Sequence, residues 1–418
     1  MQRQSIAIIG SGISGLGAAY ILHPHHDITL YEKSLTLGGH SRTLEVEVPE
    51  GHIPVDTGFI VFNDRNYPLL TGLFHHLGVP FKKSNMSFGA SIADHWFEYG
   101  TRSLGAIFAQ PKNLLRPSFL RMIADVLHFN RVSKAFLDSP QTLGECLDTL
   151  GMGEWFRHYY LLAMGAAIWS TPLDQMLAFP ARSFLRFFDN HGLLTINDQP
   201  QWYTVDGGSC EYVKRIAATF ESRIKTSCGV VSVTRTSDGV ELRDTQGGSA
   251  TYNQVIFACH SDQVLAMLQN PSEAERSIFG AMRYQPNEVV LHRDTSFMPK
   301  AKAAWASWVY LSDGKRDAKP AISLSYWMNL LQTLPTQTNI IVTLNPSHPP
   351  KSELVFNRAT LEHPIFDEAA IRAQERIGEI QGRDKLWYCG AYLGHGFHED
   401  GLRSAVNVTS ALGTKIPW

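Results

Sequence analysis

Three glycines near the amino end have the spacing of a phosphate-binding turn. Residues 5–9 read as a short buried strand, and Gly10, Gly12 and Gly15 follow at once. Gly10 would make the tight turn, Gly12 would let the backbone approach a pyrophosphate, and Gly15 would let a helix pack closely on the strand. The free N–H groups at the start of that helix would point at the phosphate. They belong to Ile13 and Ser14.

An acid follows at the distance that this turn requires. Residues 28–31 form a second strand-like block that ends at Glu32, about 20 residues beyond the glycines, where a carboxylate can bind the ribose hydroxyls. The strand, turn, helix, strand and acid together predict a dinucleotide site. A glycine-rich turn without a ligand is the alternative.

A second glycine pair directly after the acid bears on which dinucleotide binds. The run 37–43 reads LGGHSRT and is followed by VDTGF at 55–59. A nicotinamide dehydrogenase has no need of a second Gly-Gly loop at this point. The run resembles the flavin-containing amine oxidoreductase superfamily, in which this loop lies along the pyrophosphate and ribityl chain of FAD. The resemblance implies cofactor contacts from Lys33, Gly38, Gly39, His40, Ser41, Arg42, Thr57 and Gly58. An ordinary turn with a surface cation is the alternative.

Four later blocks support FAD by the same resemblance. Residues 202–209 (WYTVDGGS) resemble the turn before a helix of the FAD domain, and Val230 and Val231 resemble the segment that contacts adenine. Residues 255–260 (VIFACH), which include Ala258, resemble a strand followed by a small-residue turn. Residues 386–405 resemble the segment that crosses the flavin, with a helix expected to begin near Gly401. The implied cofactor residues there are Gly390, His398, Glu399, Asp400, Gly401 and Leu402. Ala391 stands where most relatives carry an acid, and Glu399 or Asp400 either replaces that acid or caps the helix.

The motifs fall in separated parts of the chain, so one domain must be assembled from several pieces. We predict an α/β fold: a Rossmann-like (GR2-type) FAD-binding domain with an inserted α+β substrate domain, as in amine oxidases. The FAD domain would comprise residues 1–70, 201–270 and 381–418, and the substrate domain 71–200 and 271–380. Helices are expected at 114–137, 154–169 and 366–380, and strands at 287–292, 304–310, 321–327 and 339–344.

A narrower resemblance covers nearly the whole chain. LGGHSRT, DTGFIVFNDRNYP, VIFACHSDQVLAML and GFHEDGLRSA are similar to a bacterial group of NAD/FAD-binding proteins associated with cyclopropane fatty acid synthases. That resemblance implies redox work on acyl chains, such as desaturation by hydride transfer to flavin N5. A double-bond isomerase, an amine or polyamine oxidase, and a non-catalytic flavoprotein partner of a lipid methyltransferase remain alternatives.

The residues for proton transfer are less defined than those for the cofactor. Amine oxidases carry a lysine on the strand after the second FAD block, and that strand here offers Asn287 or Glu288. The aromatic segment from 155 to 164, with Phe184, Phe187 and Phe188, either lines an acyl tunnel or packs as ordinary core. Candidates for the catalytic base are His158, Tyr159, Tyr160 and Glu288.

Composition limits the remaining possibilities. With 37 basic and 39 acidic residues the net charge is −2, which argues against nucleic acid as a partner. The five cysteines lie far apart without a CxxC pair, so neither a metal site nor a disulfide framework is expected, and a cytoplasmic enzyme is the simplest reading. Residues 112–134 pair apolar side chains with cations and favour peripheral contact with the inner membrane face, a solvated helix face being the alternative. The cations are Lys112, Arg116, Arg121, Arg131 and Lys134.

Overall fold

A computed structural model describes residues 2–169, 176–190, 192–194, 199–312 and 322–418. Its strands are β1 Ser5–Ile9, β2 Asp27–Tyr31, β3 Thr43–Val48, β4 Gly51–Asp56, β5 Val61–Asn63, β6 Phe81–Lys83, β7 Phe88–Ile92, β8 Phe97–Gly100, β9 Trp202–Val205, β10 Ile224–Lys225, β11 Val230–Arg235, β12 Val240–Asp244, β13 Ser249–Tyr252, β14 Gln254–Phe257, β15 Tyr284–His292, β16 Trp308–Ser312, β17 Ile322–Trp327, β18 Ile341–Leu344, β19 Val355–Pro364 and β20 Leu386–Tyr388.

The helices alternate with these strands in the first and last parts of the chain and cluster in the middle. They are α1 Ile13–Leu22, α2 Pro68–Leu77, α3 Leu104–Ile107, α4 Pro117–Val132, α5 Leu143–Thr149, α6 Glu154–Phe156, α7 Leu162–Trp169, α8 Ala181–Asn190, α9 Cys210–Ala217, α10 Ser261–Met267, α11 Glu273–Gly280, α12 Met328–Leu331, α13 Glu368–Glu375 and α14 His398–Ala411. Among the described residues, no helix is long and apolar enough to cross a membrane.

A parallel sheet with strand order β10-β2-β1-β14-β20 forms the nucleotide-binding layer. Every neighbouring pair in it runs parallel. The sheet draws its strands from the beginning, middle and end of the chain, as the predicted Rossmann-like assembly requires. Parallel strands buried on both faces read as continuous apolar runs, and β1 and β14 are such runs.

A second, larger sheet has strand order β19-β15-β18-β17-β16-β7-β8. Its pairs are antiparallel except for β16 with β7. Helices α4 to α8 pack a separate apolar core against β7, β8 and β16. The sheet and these helices make up the predicted α+β part; the exact domain boundaries stay a prediction.

Several element boundaries differ from the predictions. The helix predicted over 114–137 is α4 alone, flanked by 3₁₀ turns at Pro111–Leu115 and Ser133–Phe136. It cannot extend backwards because Pro117 restricts Arg116 to an extended conformation. Strand β16 begins at Trp308 rather than at 304, since Lys302–Ala304 form a 3₁₀ turn. Residue 321, predicted as strand, lies outside the described residues.

Helix α14 returns the end of the chain to the first helix. A side chain at Gly17 of α1 would lie 2.7 Å from Leu402, and one at Gly401 would lie 2.8 Å from Ile13. The two glycines therefore let α1 and α14 pack in close contact. The amino-terminal ends of both helices consequently face the same region.

Candidate functional site

The first glycine turn is held by backbone contacts that leave no space for side chains. A Cβ at Gly15 would lie 1.8 Å from the carbonyl oxygen of Gly10. Gly10 has a φ of +105°, and a Cβ there would lie 2.9 Å from the carbonyl oxygen of Ala258. The predicted Ala258 thus closes the turn from the next strand of the sheet.

Gly12 differs from these two glycines. A Cβ at Gly12 would meet no described atom within 4 Å, and its φ of −66° is open to any residue. The fold therefore does not need glycine here, whereas a ligand in contact with the backbone would. Gly39 lies opposite, where a Cβ would be 3.1 Å from the Cα of Gly12. The two glycines bound an open space at the start of α1.

Glu32 ties the end of β2 to the same turn. Its Oε2 accepts hydrogen bonds from the backbone N–H of Ser11 (3.0 Å) and from the Ser11 hydroxyl (2.6 Å), and its Oε1 accepts one from the N–H of Ser34 (2.8 Å). A carboxylate has about four acceptor positions, so capacity remains for a ribose hydroxyl.

The predicted adenine segment lies beside Glu32. The N–H of Cys228 donates to the Glu32 carbonyl at 2.8 Å, which sets the start of β11 next to the acid. A Cβ at Gly229 would lie 3.2 Å from the Cβ of Lys33. Val230 is partly buried there and Val231 is exposed. The structure therefore brings Lys33, Val230 and Val231 to the ribose end of the site.

The second glycine loop lies directly on the first turn. The N–H of Gly38 donates to the Ser11 carbonyl at 3.0 Å, and Gly38 and Gly39 both have positive φ. Buried Ser41 makes hydrogen bonds to the hydroxyl of Tyr212 and, at 2.9 Å, to Nε2 of His398. The loop thus joins the first turn to the start of α14.

Arg42 and the loop at 57–58 continue this path. The guanidinium of Arg42 donates to the Thr57 hydroxyl (2.8 Å) and to Oδ1 of Asn357 (2.9 Å), and partial burial lowers its pKa. A Cβ at Gly58 would lie 2.0 Å from the His40 carbonyl oxygen, so this approach requires glycine.

The carboxy-terminal segment completes the site, with one correction. Helix α14 begins at His398, three residues before the predicted start near Gly401, because the Asp400 carboxylate caps it by accepting from the N–H groups of His395 (3.0 Å) and Phe397 (3.1 Å). The N–H of Gly390 donates to the Ser404 hydroxyl at 2.8 Å.

Glu399 has a role that sequence reasoning missed. Its two carboxylate oxygens accept the N–H groups of Leu69 and Leu70, each at 3.0 Å, at the start of α2. Burial raises the pKa of Glu399. Asp400 therefore caps its own helix, whereas Glu399 holds the start of α2 and pairs with Arg403 at 3.3 Å. Direct contact of either acid with the cofactor stays a prediction.

We call the following residues the nucleotide cradle: 10–15, Glu32, 38–42, 57–58, Ala258, Gly390 and 398–402. They come from the beginning, the middle and the end of the chain.

A group of histidines lies beside the cradle. The His40 ring is 5.9 Å from that of His260 and 5.5 Å from that of His363, and His260 stacks on Tyr284 at 4.4 Å. Burial first, and then a neighbouring histidine, lowers the pKa of both His40 and His363 to about 4. These rings are neutral at pH 7. Sequence reasoning assigned a role to His40 but none to His260, the last residue of the 255–260 block, or to His363, which lies outside every block.

His398 and His363 are oriented by further contacts. His398 stacks on Phe59 with ring centroids 3.7 Å apart, and burial lowers its pKa to about 3. The Nδ1 of His363 lies 3.2 Å from the amide nitrogen of Asn287, whose own oxygen accepts from Asn345 at 2.8 Å. Because that bond fixes Asn287 as the donor, His363 accepts at Nδ1 and carries its proton on Nε2.

The four predicted catalytic bases lie elsewhere. Glu288 is half exposed and pairs with Arg358 at 2.8 Å, and His158 is half exposed and pairs with Glu154 at 3.0 Å. Tyr159 packs against Trp155, and burial raises the pKa of Tyr160 to about 12. Among the described contacts none joins these residues to the cradle, so their catalytic roles stay predictions.

The cradle fits FAD on two observations. The open side of Gly12 accepts a pyrophosphate that any side chain would displace. The Nε2 of His40 is buried without a hydrogen-bond partner in the described part of the chain, so it is available to a bound group. Bound here, FAD supplies a two-electron acceptor.

Comparisons with known proteins agree with this assignment. The sequence model of the flavin-containing amine oxidoreductase family matches residues 13–339, most of the chain. No curated protein sequence matches. Among solved structures, a fatty acid isomerase from P. acnes that produces CLA has 16% identity and a TM-score of 0.69, covering 97% of this chain and 98% of its own.

Two further solved structures share the fold. A putrescine oxidase mutant has 12% identity and a TM-score of 0.70, covering 98% of this chain and 99% of its own. Cyclohexylamine oxidase from Brevibacterium oxydans has 15% identity and a TM-score of 0.64, covering 99% of this chain and 100% of its own. The chain therefore belongs to the flavin-containing amine oxidoreductase family and is an FAD-dependent oxidoreductase.

Proposed function

We propose that the protein oxidises a hydrophobic acyl chain, as a free fatty acid or within a phospholipid. A carbon next to a double bond would lose a hydride, which bound FAD has the chemistry to accept, and the neighbouring carbon would lose a proton to a base, so the chain would gain a double bond. An allylic position is expected because an unactivated methylene is a poor hydride donor.

The observation that carries this proposal is an apolar wall that reaches the cradle. Phe187 of α8 stacks on Phe397 with ring centroids 5.2 Å apart, and Phe397 directly precedes His398 of the cradle. Phe184 and Phe188 stack behind them at 4.2 Å. We call Phe184, Phe187, Phe188 and Phe397 the aromatic wall. Such a wall suits an alkyl chain, whose recognition is by apolar burial.

The groups beside the cradle also suit an uncharged alkyl segment. Asn287 occupies a fully buried position of β15, where it orients His363, and residues 284–292 include no lysine. The neutral histidines add no fixed charge at neutral pH. Placement supports a histidine of this group over Glu288 as the base, because the histidines lie beside the cradle whereas Glu288 is half exposed and pairs with Arg358 at 2.8 Å.

Two alternatives remain within the same family. An isomerase would return the hydride to a different carbon, and the fatty acid isomerase with this fold favours it as the second candidate. An amine or polyamine oxidase is the third. The narrower association with cyclopropane fatty acid synthases, and a lipid methyltransferase as partner, belong to this proposal as well.

Anaerobic titration separates these candidates. We expect unsaturated fatty acids or phospholipids to bleach the visible flavin absorbance and to yield a product with one more double bond. An unchanged flavin spectrum with a shifted double bond would indicate the isomerase. Bleaching by amines alone would overturn the acyl proposal.

Variants of the wall test the same proposal. Phe187→Leu should raise KM for an acyl substrate, whereas Phe184→Leu, in the layer behind, serves as a control for general loss of packing. Equal effects of the two variants on KM would contradict direct contact between the wall and substrate. FAD content and thermal stability of both variants are measured alongside.

A further inference from the structure

The exposed large apolar side chains of the protein are concentrated in one short segment. In the described residues they lie within 104–127, except for Leu35 and Val231. Leu115 is 86% exposed and Leu104 is 77% exposed. The full set in the segment is Leu104, Leu114, Leu115, Leu120 and Leu127. Exposed leucines concentrated in so short a segment indicate an interaction site.

The segment is held firmly from its other side, so the fold does not require these leucines. Phe119, Met122 and Phe129 form the buried side of α4 and belong to the apolar core of the helical region. Arg116 packs its guanidinium over the Trp96 ring at 4.5 Å and donates to Oδ1 of Asn113 at 3.0 Å. The junction between the 3₁₀ turn and α4 is thereby fixed, and the leucines project from a rigid base.

Cations surround the leucines. Residues 101–134 carry six basic side chains, Arg102, Lys112, Arg116, Arg121, Arg131 and Lys134, against the single acid Asp125. Asp125 accepts from the N–H of Gly153 at 3.0 Å and is largely buried. Three of the six cations are engaged elsewhere. Arg116 lies on Trp96, Lys134 pairs with Asp189 at 2.7 Å, and Arg121 pairs with Asp125 at 3.7 Å. The remaining exposed cations are Arg102, Lys112 and Arg131.

The charge decides which partner fits. A second copy docked on this face by two-fold symmetry would bring like charges together. An anionic lipid surface complements the cations and receives the leucines at the boundary between headgroups and acyl chains. We propose that the five leucines and the exposed cations Arg102, Lys112 and Arg131 form a docking face for anionic phospholipid membranes. The protein would rest on the membrane through this face.

The docking face stands independently of the proposed reaction. Only its use in delivering acyl chains rests on that reaction. Vesicle binding without acyl turnover would support the docking face and count against the reaction. Turnover of free fatty acids without vesicle binding would support the reaction and count against the docking face.

Sedimentation with vesicles tests the face directly. We expect the FAD-loaded protein to sediment with vesicles of phosphatidylcholine and phosphatidylglycerol in equal parts, and far less with phosphatidylcholine alone. The double variant Leu114→Ser/Leu115→Ser should lose at least about tenfold in affinity. Lys112→Glu/Arg131→Glu should lose about fivefold or more per cation, on the anionic vesicles only.

A matched control and two contrary results complete the test. Leu35→Ser removes a similarly exposed leucine outside the segment and should sediment like the wild type. Wild-type protein that stays in solution with anionic vesicles would overturn the inference. So would a wild-type dimer that dissociates on Leu114→Ser/Leu115→Ser without binding vesicles. Circular dichroism and FAD content establish that each variant is folded.

Discussion

The nucleotide cradle and the aromatic wall meet at Phe397 and His398 but are built differently. The cradle depends on backbone approach: Gly10, Gly15 and Gly58 each lie where a Cβ would touch a carbonyl oxygen. The wall depends on side-chain packing between rings of α8 and Phe397. A cofactor held by backbone tolerates little variation, whereas a packed wall can change shape with its substrate. The contrast explains how one fold hosts different substrates around one cofactor.

Among single substitutions in the cradle, we expect Gly15→Ala to destabilise the fold most. The new Cβ would lie 1.8 Å from the Gly10 carbonyl oxygen, so backbone must move. We expect a loss of about 3 kcal/mol or more in the free energy of unfolding of the apoprotein. Chemical denaturation measures it. An apoprotein as stable as wild type would show that this contact does not constrain the fold.

A second prediction concerns Asp56, which links the cradle to the larger sheet. Its carboxylate accepts from the Ser209 N–H at 2.9 Å and from the Gln332 amide at 3.0 Å. Burial raises the pKa of Asp56 to about 6 from its usual value near 4. The folded state therefore holds this proton more tightly than the unfolded chain does. The contribution to stability is present below pH 4 and is lost as pH rises to about 6, a change of about 3 kcal/mol.

The variant Asp56→Asn isolates that contribution. Subtracting its unfolding free energy from that of the wild type at each pH cancels the other titrating groups. The difference should move against the wild type by about 3 kcal/mol between pH 3 and pH 7. A difference that stays constant across this range would contradict the raised pKa.

Gly12→Ala tests cofactor binding by the cradle separately from folding, because it should weaken FAD binding without destabilising the fold. Its Cβ meets no described atom within 4 Å, but it would enter the space assigned to pyrophosphate. We expect FAD affinity to fall about a hundredfold, with the stability of the apoprotein unchanged. Fluorescence titration of apoprotein with FAD measures the affinity. If Gly12→Ala bound FAD as tightly as the wild type, the pyrophosphate would not lie against Gly12.

The smallest effect is expected in the wall. Phe187→Leu should raise KM for an acyl substrate about tenfold while FAD binding stays as in wild type. Steady-state kinetics with FAD-saturated enzyme provides both values. If Phe187→Leu lowered FAD affinity as much as Gly12→Ala does, the aromatic wall could not be distinguished from the nucleotide cradle by function.

The sequence predicts the cradle better than its surroundings for a physical reason. Gly10, Gly12 and Gly15 act within one turn, and Asp400 caps a helix that begins two residues before it, so local spacing carries the information. Glu399 caps α2 across some 330 residues of chain, and His260 and His363 each meet His40 through tertiary packing. Such contacts have no signature in local spacing. The sequence predicts the start of α14 too late, because a glycine such as Gly401 is typical of a helix boundary. In the structure Gly401 lies inside α14, where it allows close contact with Ile13.

The central claim is that distant glycine-bearing segments converge on one FAD. Quantifying FAD released from purified wild-type and Gly12→Ala protein tests it most directly. We predict close to one FAD per folded wild-type chain, and little in the variant at the same state of folding. A folded wild-type protein that is colourless and takes up no added FAD would contradict the account.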